Sequence, residues 1–412
     1  MRIDQDGAAR AQAKRICGPL ARHIDGFVAL LAREAYAPAT LGAKRRLIVD
    51  LSCWLRRSKL PLELLDEERL RQFLIDRYRR FKRRNGDIQT TRRLLGYLRD
   101  INCIPVPRAK IDRTSLGRLT RDFERFLSSE RCLARSTLVD YLRTVRSFLI
   151  DRFDDKALQL NFLRPTDIHH FIVGNLKTCS RSKAKATVAA LRSFTRFLHQ
   201  RGLIALDLAA AVPGVADWRS SHLPKSLPPK KIKQLLASCN RNTLAGRRDY
   251  AILLLMARLG LRAGEVVGMT LDDLDWKCGE IVVHGKGQQE ARLPLPTDVG
   301  TALVSYLRHT RPACSTRRVF VRMRVPYRGL GGHSTVCRIV VRALKRAGLN
   351  VEFKGAHLFR HSLATNLLRR GATLTEIGQL LRHKDLTTTQ IYAKVNIAAL
   401  RTIALPWPRG AL

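Results

Sequence analysis

Five short pieces in the C-terminal half of the chain have the residue types to work on a phosphodiester. In Gly260-Leu-Arg-Ala-Gly-Glu-Val266, Arg262 follows a glycine that permits a sharp break after a helix. A guanidinium held at such a break grips a phosphate through two parallel hydrogen bonds. Lys286 sits in Gly285-Lys286-Gly287, a glycine-flanked hairpin tip that can reach into a groove. His357 and Arg360, in His357-Leu-Phe-Arg360-His361, are three apart and share one helix face. His383 closes Leu381-Arg-His383, and Tyr392 lies in Ile391-Tyr-Ala-Lys-Val395. A phenol of pKa roughly 10 is a poor nucleophile unless a base and cations surround it. Two arginines, a lysine and two histidines supply both, and they would stabilise the added negative charge of a five-coordinate phosphorus. Neighbouring helix positions point about 100° apart, so His361 is expected to serve structure. Taken singly the pieces say little: a lone surface tyrosine usually does nothing, and His383 alone reads as a helix-end histidine. Their joint order and spacing carry the signal.

The charge of the whole chain points the same way. Its 412 residues hold 76 Lys+Arg against 34 Asp+Glu, a formal net charge of +42. Such a chain repels itself unless a polyanion neutralises it, and nucleic acid is the obvious one. The charge is spread along the chain, with dense runs such as Arg77-Tyr-Arg-Arg-Phe-Lys-Arg-Arg84 that suit either a solvated helix face or DNA. At 45% hydrophobic residues there is ordinary core-forming sequence, unlike most histones and ribosomal proteins. The nine cysteines form no C-x-x-C pair and no zinc-ligand spacing, so they read as free thiols in a reducing compartment. No metal cluster of carboxylates is evident. The N-terminus lacks a signal-like apolar stretch, and the longest apolar run, Ala251 to Ala257, is too short to span a bilayer. A soluble cytoplasmic protein with no membrane partner, nucleoid-associated when bound to DNA, is the expectation.

The elements that must position these groups can be read from periodicity. Before residue 212 apolar residues recur at helical spacing, as in Leu138, Leu142, Val145 and Leu149, or Val188, Leu191, Phe194 and Leu198. This half looks duplicated. Thr40-Leu41 leads into helices over 47–55, 64–74 and 90–104; Thr137-Leu138 leads into helices over 141–150, 167–173 and 184–203. Pro105 and Pro107 divide the two units, and the turn-rich stretch from Val212 to Pro229 reads as a linker. Beyond it the pattern predicts helices over 230–237, 248–258, 334–347, 358–370, 375–381 and 387–394. Two short strands, 280–284 and 291–295, flank the Lys286 turn. The fold class is therefore mainly α, with an α+β catalytic domain that is mostly helical around a small antiparallel sheet. The expected division is 1–112, a helical segment and extra core-binding-like domain; 113–213, a helical DNA-binding domain; 214–226, linker; and 227–412, catalytic domain with tail.

On those residues, the stretch 227–395 resembles the catalytic domain of the tyrosine recombinase (phage integrase) family: arginine box, lysine hairpin, His-x-x-Arg box, late histidine and tyrosine stand in the family's order. Thr137-x-x-x-Tyr141, with Val145 and Phe148, resembles its core-binding helical domain, which clamps the far side of the DNA. The resemblance implies that Tyr392 attacks a DNA phosphate to give a 3′-phosphotyrosyl bond and a free 5′-hydroxyl. It implies that Arg262 and Arg360 clamp the phosphate, Lys286 is general acid to the 5′-oxygen, His357 assists as base or phosphate ligand, and His383 donates a hydrogen bond. Neither metal, ATP nor cofactor is implied. The implied partners are double-stranded DNA, other copies in a homotetramer on two sites, and a partner recombinase or DNA-bending protein. The apolar spacing of Ile397, Leu400 and Ile403 suggests a tail that docks on a neighbouring copy. Phe359, Val266 and Arg382 depart from the usual leucine, leucine and glycine, and Arg382 is expected to crowd or recharge the pocket around His383. The extra N-terminal segment and high charge favour a mobile-element integrase or transposase. The alternatives are a chromosome-dimer resolvase of the same family, a related topoisomerase, and a catalytically silent DNA-binding accessory protein.

Overall fold

The computed structural model describes residues 18–107, 112–154, 158–176, 179–214, 225–285, 289–383, 385 and 387–393. Its first four helices are α1 (Ala21–Arg33), α2 (Pro38–Arg57), α3 (Glu67–Tyr78) and α4 (Asp87–Asp100), with a short 3-10 turn, Leu62–Leu64, before α3. Local chemistry sets their ends. Pro38 opens α2, where its missing N–H costs nothing. The Asp66 carboxylate caps α3 by accepting from Arg69 N–H at 2.9 Å. Ile24, Phe27, Leu51 and Leu98 are wholly buried in one apolar core.

The next four helices are α5 (Ser115–Arg125), α6 (Arg135–Phe153), α7 (Pro165–Leu176) and α8 (Arg181–Gln200), again with a 3-10 turn, Leu160–Phe162, before the third. Their core is built on phenylalanine. The Phe123 ring lies 5.1 Å from Phe194 and 5.3 Å from Phe197, in the tilted geometries that aromatic pairs prefer.

The two sets match in detail. Leu70, Phe73 and Leu74 are buried on α3 while Ile75 is exposed; Ile168, Phe171 and Ile172 are buried on α7 while Val173 is exposed. The final helices end alike. Asn102 N–H donates to Arg99 O and Cys103 N–H to Leu98 O; Gly202 N–H donates to His199 O and Leu203 N–H to Leu198 O. This paired bonding needs a left-handed residue, and Asn102 and Gly202 have φ of 55° and 66°. Ile104 and Ile204 then both enter their cores.

The remaining part contains α9 (Pro229–Ala237), α10 (Leu244–Leu259) and α11 (Ala263–Gly268), then β1 (Leu274–Asp275), β2 (Glu280–His284) and β3 (Glu290–Pro294). The sheet is antiparallel in the order β1-β2-β3, with Ile281 opposite Leu293. Helices α12 (Thr297–His309), α13 (His333–Arg346), α14 (His357–Arg369), α15 (Leu374–Leu380) and α16 (Thr387–Gln390) follow. Every residue from Ala251 to Met256 is buried, so α10 is a central helix rather than an amphipathic surface one. Leu227 belongs to this core, and its N–H donates to Ser362 Oγ at 2.8 Å. Elements α11, α12 and β1 are ones that periodicity did not supply, and β3 runs one residue earlier than the alternation predicts. Among the described residues, no helix is long and apolar enough to cross a membrane. The tail positions Ile397, Leu400 and Ile403 lie outside the described residues.

Truncating the centre of the phenylalanine cluster removes the contacts of a large buried ring and leaves a cavity. Phe123→Ala is therefore expected to lower the stability of this part by about 3–5 kcal/mol. Denaturant unfolding checks this, and a loss under about 1 kcal/mol would contradict the packing described.

Candidate active site

The site begins where α10 stops. Gly260 takes φ +59°, and a Cβ there would lie 2.7 Å from Leu381 Cδ2, so the turn demands glycine. Two residues on, Arg262 caps α11. Its backbone N–H and its guanidinium both donate to Glu265, at 2.9 and 2.7 Å. Glu265 is buried and also accepts from Arg382 Nη2 at 3.0 Å. One carboxylate thus orients two guanidiniums.

Arg360, on α14, is 4% exposed. Its Nη1 donates to Gly260 O at 2.8 Å and its Nη2 to Leu381 O. Burial, then the nearby Arg262 and Arg382 charges, push its pKa down to about 9, which leaves it cationic at neutral pH. The backbone of Arg382 has φ 55°, left-handed for a residue with a Cβ, and its carbonyl accepts from Arg262 Nη2 at 3.4 Å. The departure expected to crowd or recharge the pocket places the Arg382 side chain on Glu265, and its charge is among those that lower the His383 pKa.

Three histidines surround this cationic centre. His357 stays open to solvent; partial burial of its ring and the Arg360 and Arg262 charges lower its pKa. His361 is one turn along, its ring centre 6.2 Å from that of His357. Burial, then His357 and Arg360, bring His361 to about 4. His383 also falls to about 4, through burial and then Arg360 and Arg262, and its Nδ1 lies 2.6 Å from Thr389 Oγ1. All three are neutral at pH 7.

Tyr392 is 1% exposed, in a pocket with Ala364, Leu368, Ile377 and Leu381. Burial pushes its pKa up to about 12, against a lowering by Arg360. The protonated phenol lies 2.9 Å from His361 Nδ1, and in the tautomer of the neutral imidazole that carries its proton on Nε2 the hydroxyl donates to Nδ1. The helix-angle argument that sets His361 off the Arg360 face is sound, but that other face looks onto Tyr392. His361 and Glu265 are thus the site residues that sequence reasoning missed. Both stand inside the quoted motifs, and only the partner each reaches was hidden.

Arg262, His357, Arg360, His383 and Tyr392 are brought into one locality by these bonds and fields. Lys286 lies outside the described residues. The base of its hairpin is described: His284 Nε2 lies 2.8 Å from Asp273 Oδ1, and Nδ1 3.2 Å from Glu290 Oε1. The bond to Asp273 leads the causes that raise the His284 pKa. Asp273 Oδ2 in turn accepts from Thr270 N–H at 2.7 Å.

Residues 225–398 match the phage integrase family, and residues 121–202 match the phage integrase N-terminal SAM-like domain. The chain is 42% identical to y4rA of Sinorhizobium fredii, which bears an integrase/recombinase name, over 96% of both chains. It is 33% identical to the tyrosine recombinase XerD of Lacticaseibacillus casei over 68% of this chain and 94% of that one. Among solved structures it is similar in fold to the XerH site-specific recombinase bound to its palindromic difH substrate (TM-score 0.56, 19% identity, 69% of this chain and 83% of that one). It is likewise similar to the Tn1549 transposon integrase with circular-intermediate DNA (TM-score 0.53, 15% identity, 69% and 98%).

The titration directions fix an expected pH response. His284 has a raised folded pKa, so its contribution to stability is full below the unfolded value of 6.5 and fades as pH rises through the folded value. His361 and His383 have depressed folded values, so their contribution holds above 6.5 and is lost as pH falls toward about 4. Replacing His284 by Gln should therefore destabilise more at about pH 6 than at about pH 8, with His361→Gln showing the reverse trend. Thermal melts across this range decide it; parallel losses at every pH would rule the assignment out. The arginine turn, the His-x-x-Arg helix, the late histidine and a buried tyrosine meet in a chain that belongs to the phage integrase family of tyrosine recombinases, enzymes that recombine DNA.

Proposed function

We propose that this recombinase cuts and rejoins DNA with Tyr392 as nucleophile. The observation that carries the reading is the pairing of two oriented guanidiniums, Arg262 and Arg360, with neutral imidazoles beside a tyrosine whose hydroxyl lies within hydrogen-bond distance of one of them. A phosphate placed between the guanidiniums would meet charge that Glu265 only partly offsets. In the cleavage step the Tyr392 oxygen bonds to phosphorus as its proton passes to a neighbouring imidazole. The bond from phosphorus to the 5′-oxygen breaks, and Lys286 supplies that oxygen's proton. His357 assists as base or phosphate ligand, and His383, positioned by Thr389, donates to the phosphate. Rejoining reverses the electron flow, so bond energy is conserved and neither ATP, metal nor cofactor is required.

The domain roles follow the same reading. Residues 113–213 hold one face of the duplex, 214–226 link, and 227–412 carry the chemistry. Copies assemble as a tetramer on two DNA sites; in the fold-related lambda integrase, a tetramer is seen bound to a Holliday junction. The work takes place in the cytoplasm, at the nucleoid. A mobile-element integrase is favoured over a chromosome-dimer resolvase because the likeness to y4rA spans 96% of the chain while that to XerD spans 68%.

A covalent trap tests the chemistry. Nicked duplexes from DNA flanking the gene are incubated with chelator and either wild type or Tyr392→Phe. Wild type should leave a denaturation-resistant protein–DNA adduct, and the variant none. Arg262→Ala should slow adduct formation by about 100-fold or more, the scale of losing one preorganised donor to a developing charge. Adduct of equal yield from Tyr392→Phe would mean another nucleophile, and DNA binding without adduct by either protein would favour the accessory reading.

A further inference from the structure

We infer that residues 20–104 are a second DNA clamp, which grips the duplex backbone through Lys44 and the basic segment Arg80–Arg84. The first support is the repeat itself. This four-helix set reproduces the burial pattern, the 3-10 turn and the helix-end bonding of the set that matches the SAM-like domain. At the start of its second helix, Thr40-x-x-x-Lys44 takes the place of Thr137-x-x-x-Tyr141. The fold is shared, while the group presented at that position changes from a phenol to a cation.

The second support is electrostatic. Residues 18–107 contain 19 Lys+Arg and 10 Asp+Glu, a net of +9. Part of the surplus stands in one run, Arg80–Arg84. Among the described residues, the ion pairs of this set tie down Arg45, Arg69, Arg71, Arg77, Arg79, Arg93 and Arg99. Among the described residues, no carboxylate lies within ion-pair distance of Arg80, Lys82, Arg83, Arg84 or Lys44. The first four are exposed, as is Phe81 among them at 53%. The segment is also held in place. Arg77 lies over the Phe81 ring and pairs with Asp87 at 3.4 Å, and Arg83 lies over Tyr78.

Lys44 is the most telling member. Its ammonium donates to Thr90 Oγ1 at 2.5 Å and sits 5.0 Å from the Tyr36 ring centre, half-buried and facing Arg93. Burial and the Arg93 charge both pull its pKa down, with Asp87 only partly opposing them. A cation kept at such a place is short of one anion, and a phosphate supplies it.

The partner is duplex DNA rather than an acidic protein because of tethering. Only ten residues, 105–114, separate Ile104 from the start of α5. When the following module is on DNA, the flanking duplex is presented to this surface at an effective concentration of the order of mM. The inference adds a contact surface to the strand-exchange reading. Tested in the Tyr392→Phe chain, it does not depend on whether Tyr392 is the nucleophile.

The experiment compares three full-length chains, all Tyr392→Phe, on a mixed-sequence duplex. One has no further change, and one carries Arg80→Ala, Lys82→Ala, Arg83→Ala and Arg84→Ala. The third is a control with Arg56→Ala, Arg57→Ala and Lys59→Ala. The control charges are equally exposed but lie at the far end of α2, about 18 Å from Lys44 along the helix. Each lost phosphate contact lowers the steepness of log affinity against log salt by about 0.9, so the quadruple variant should lose about 3.6. The control should lose less than about 1. The length of duplex occupied per chain should also shorten in the quadruple variant alone. An unchanged slope and site size in the quadruple variant would overturn the inference, as would an equal loss in the control; an acidic protein would then be the better partner for this surface.

Discussion

One buried guanidinium ties the catalytic region together. Arg360 reaches from α14 to the carbonyl of Gly260, where α10 ends, and to the carbonyl of Leu381, where α15 ends. Two chain reversals more than a hundred residues apart are thereby fixed to one planar group. Burying an unsatisfied guanidinium would cost several kcal/mol, so these bonds are obligatory rather than decorative. They leave the group's remaining donors with a set direction. Gly260 must be glycine both for its positive φ and because a methyl would strike the Leu381 side chain. The arginine turn, the arginine helix and the late-histidine turn are in this sense one structural unit.

Around that unit the charges are arranged for a guest. Arg262, Arg360 and Arg382 face a buried carboxylate, Glu265, and burial, followed by the nearby cations, lowers the pKa of all three histidines. Neutral imidazoles can accept a proton at physiological pH where protonated ones could not. The same burial that keeps them neutral holds Tyr392 as a phenol with a pKa near 12. On the proposed reading, a phosphate entering beside Arg262 and Arg360 would sit next to groups that could take the tyrosine proton, and its own charge would be met by guanidiniums already in position.

The legible part of this site was the part written as residue type and spacing. Arg262, His357, Arg360, His383 and Tyr392 stand in strings whose order is informative, and the structure gathers them. Less legible were the contacts that cross the chain. His361 looks structural when only the angle between helix neighbours is considered, because nothing local tells that Tyr392 packs against that second face. Glu265 shows three residues after Arg262, the right spacing for a helix-start carboxylate, yet its second partner comes from 117 positions away. In the fold, most long amphipathic helices, though not α12, and the β2–β3 hairpin follow from period. The two-residue β1 and the six-residue α11 are too short to show a period at all, and in α10, read over 248–258, the buried run Ala251–Met256 blurs the stripe. The repeat in the N-terminal half was visible as order. Its physical proof, the matched helix ends at Asn102 and Gly202, depends on φ values that no sequence prints.

Arg382 shows how a departure from pattern can be absorbed. A non-glycine residue in the left-handed region costs about 1–2 kcal/mol. Here the strained residue returns two interactions to the site: its carbonyl accepts from Arg262, and its guanidinium shares Glu265. With two guanidiniums on one buried carboxylate, a phosphate can draw on Arg262 without leaving Glu265 as an uncompensated buried charge. The residue that glycine would make easier to fold is thus also the one that, on the proposed reading, would let Arg262 change partners at lower cost.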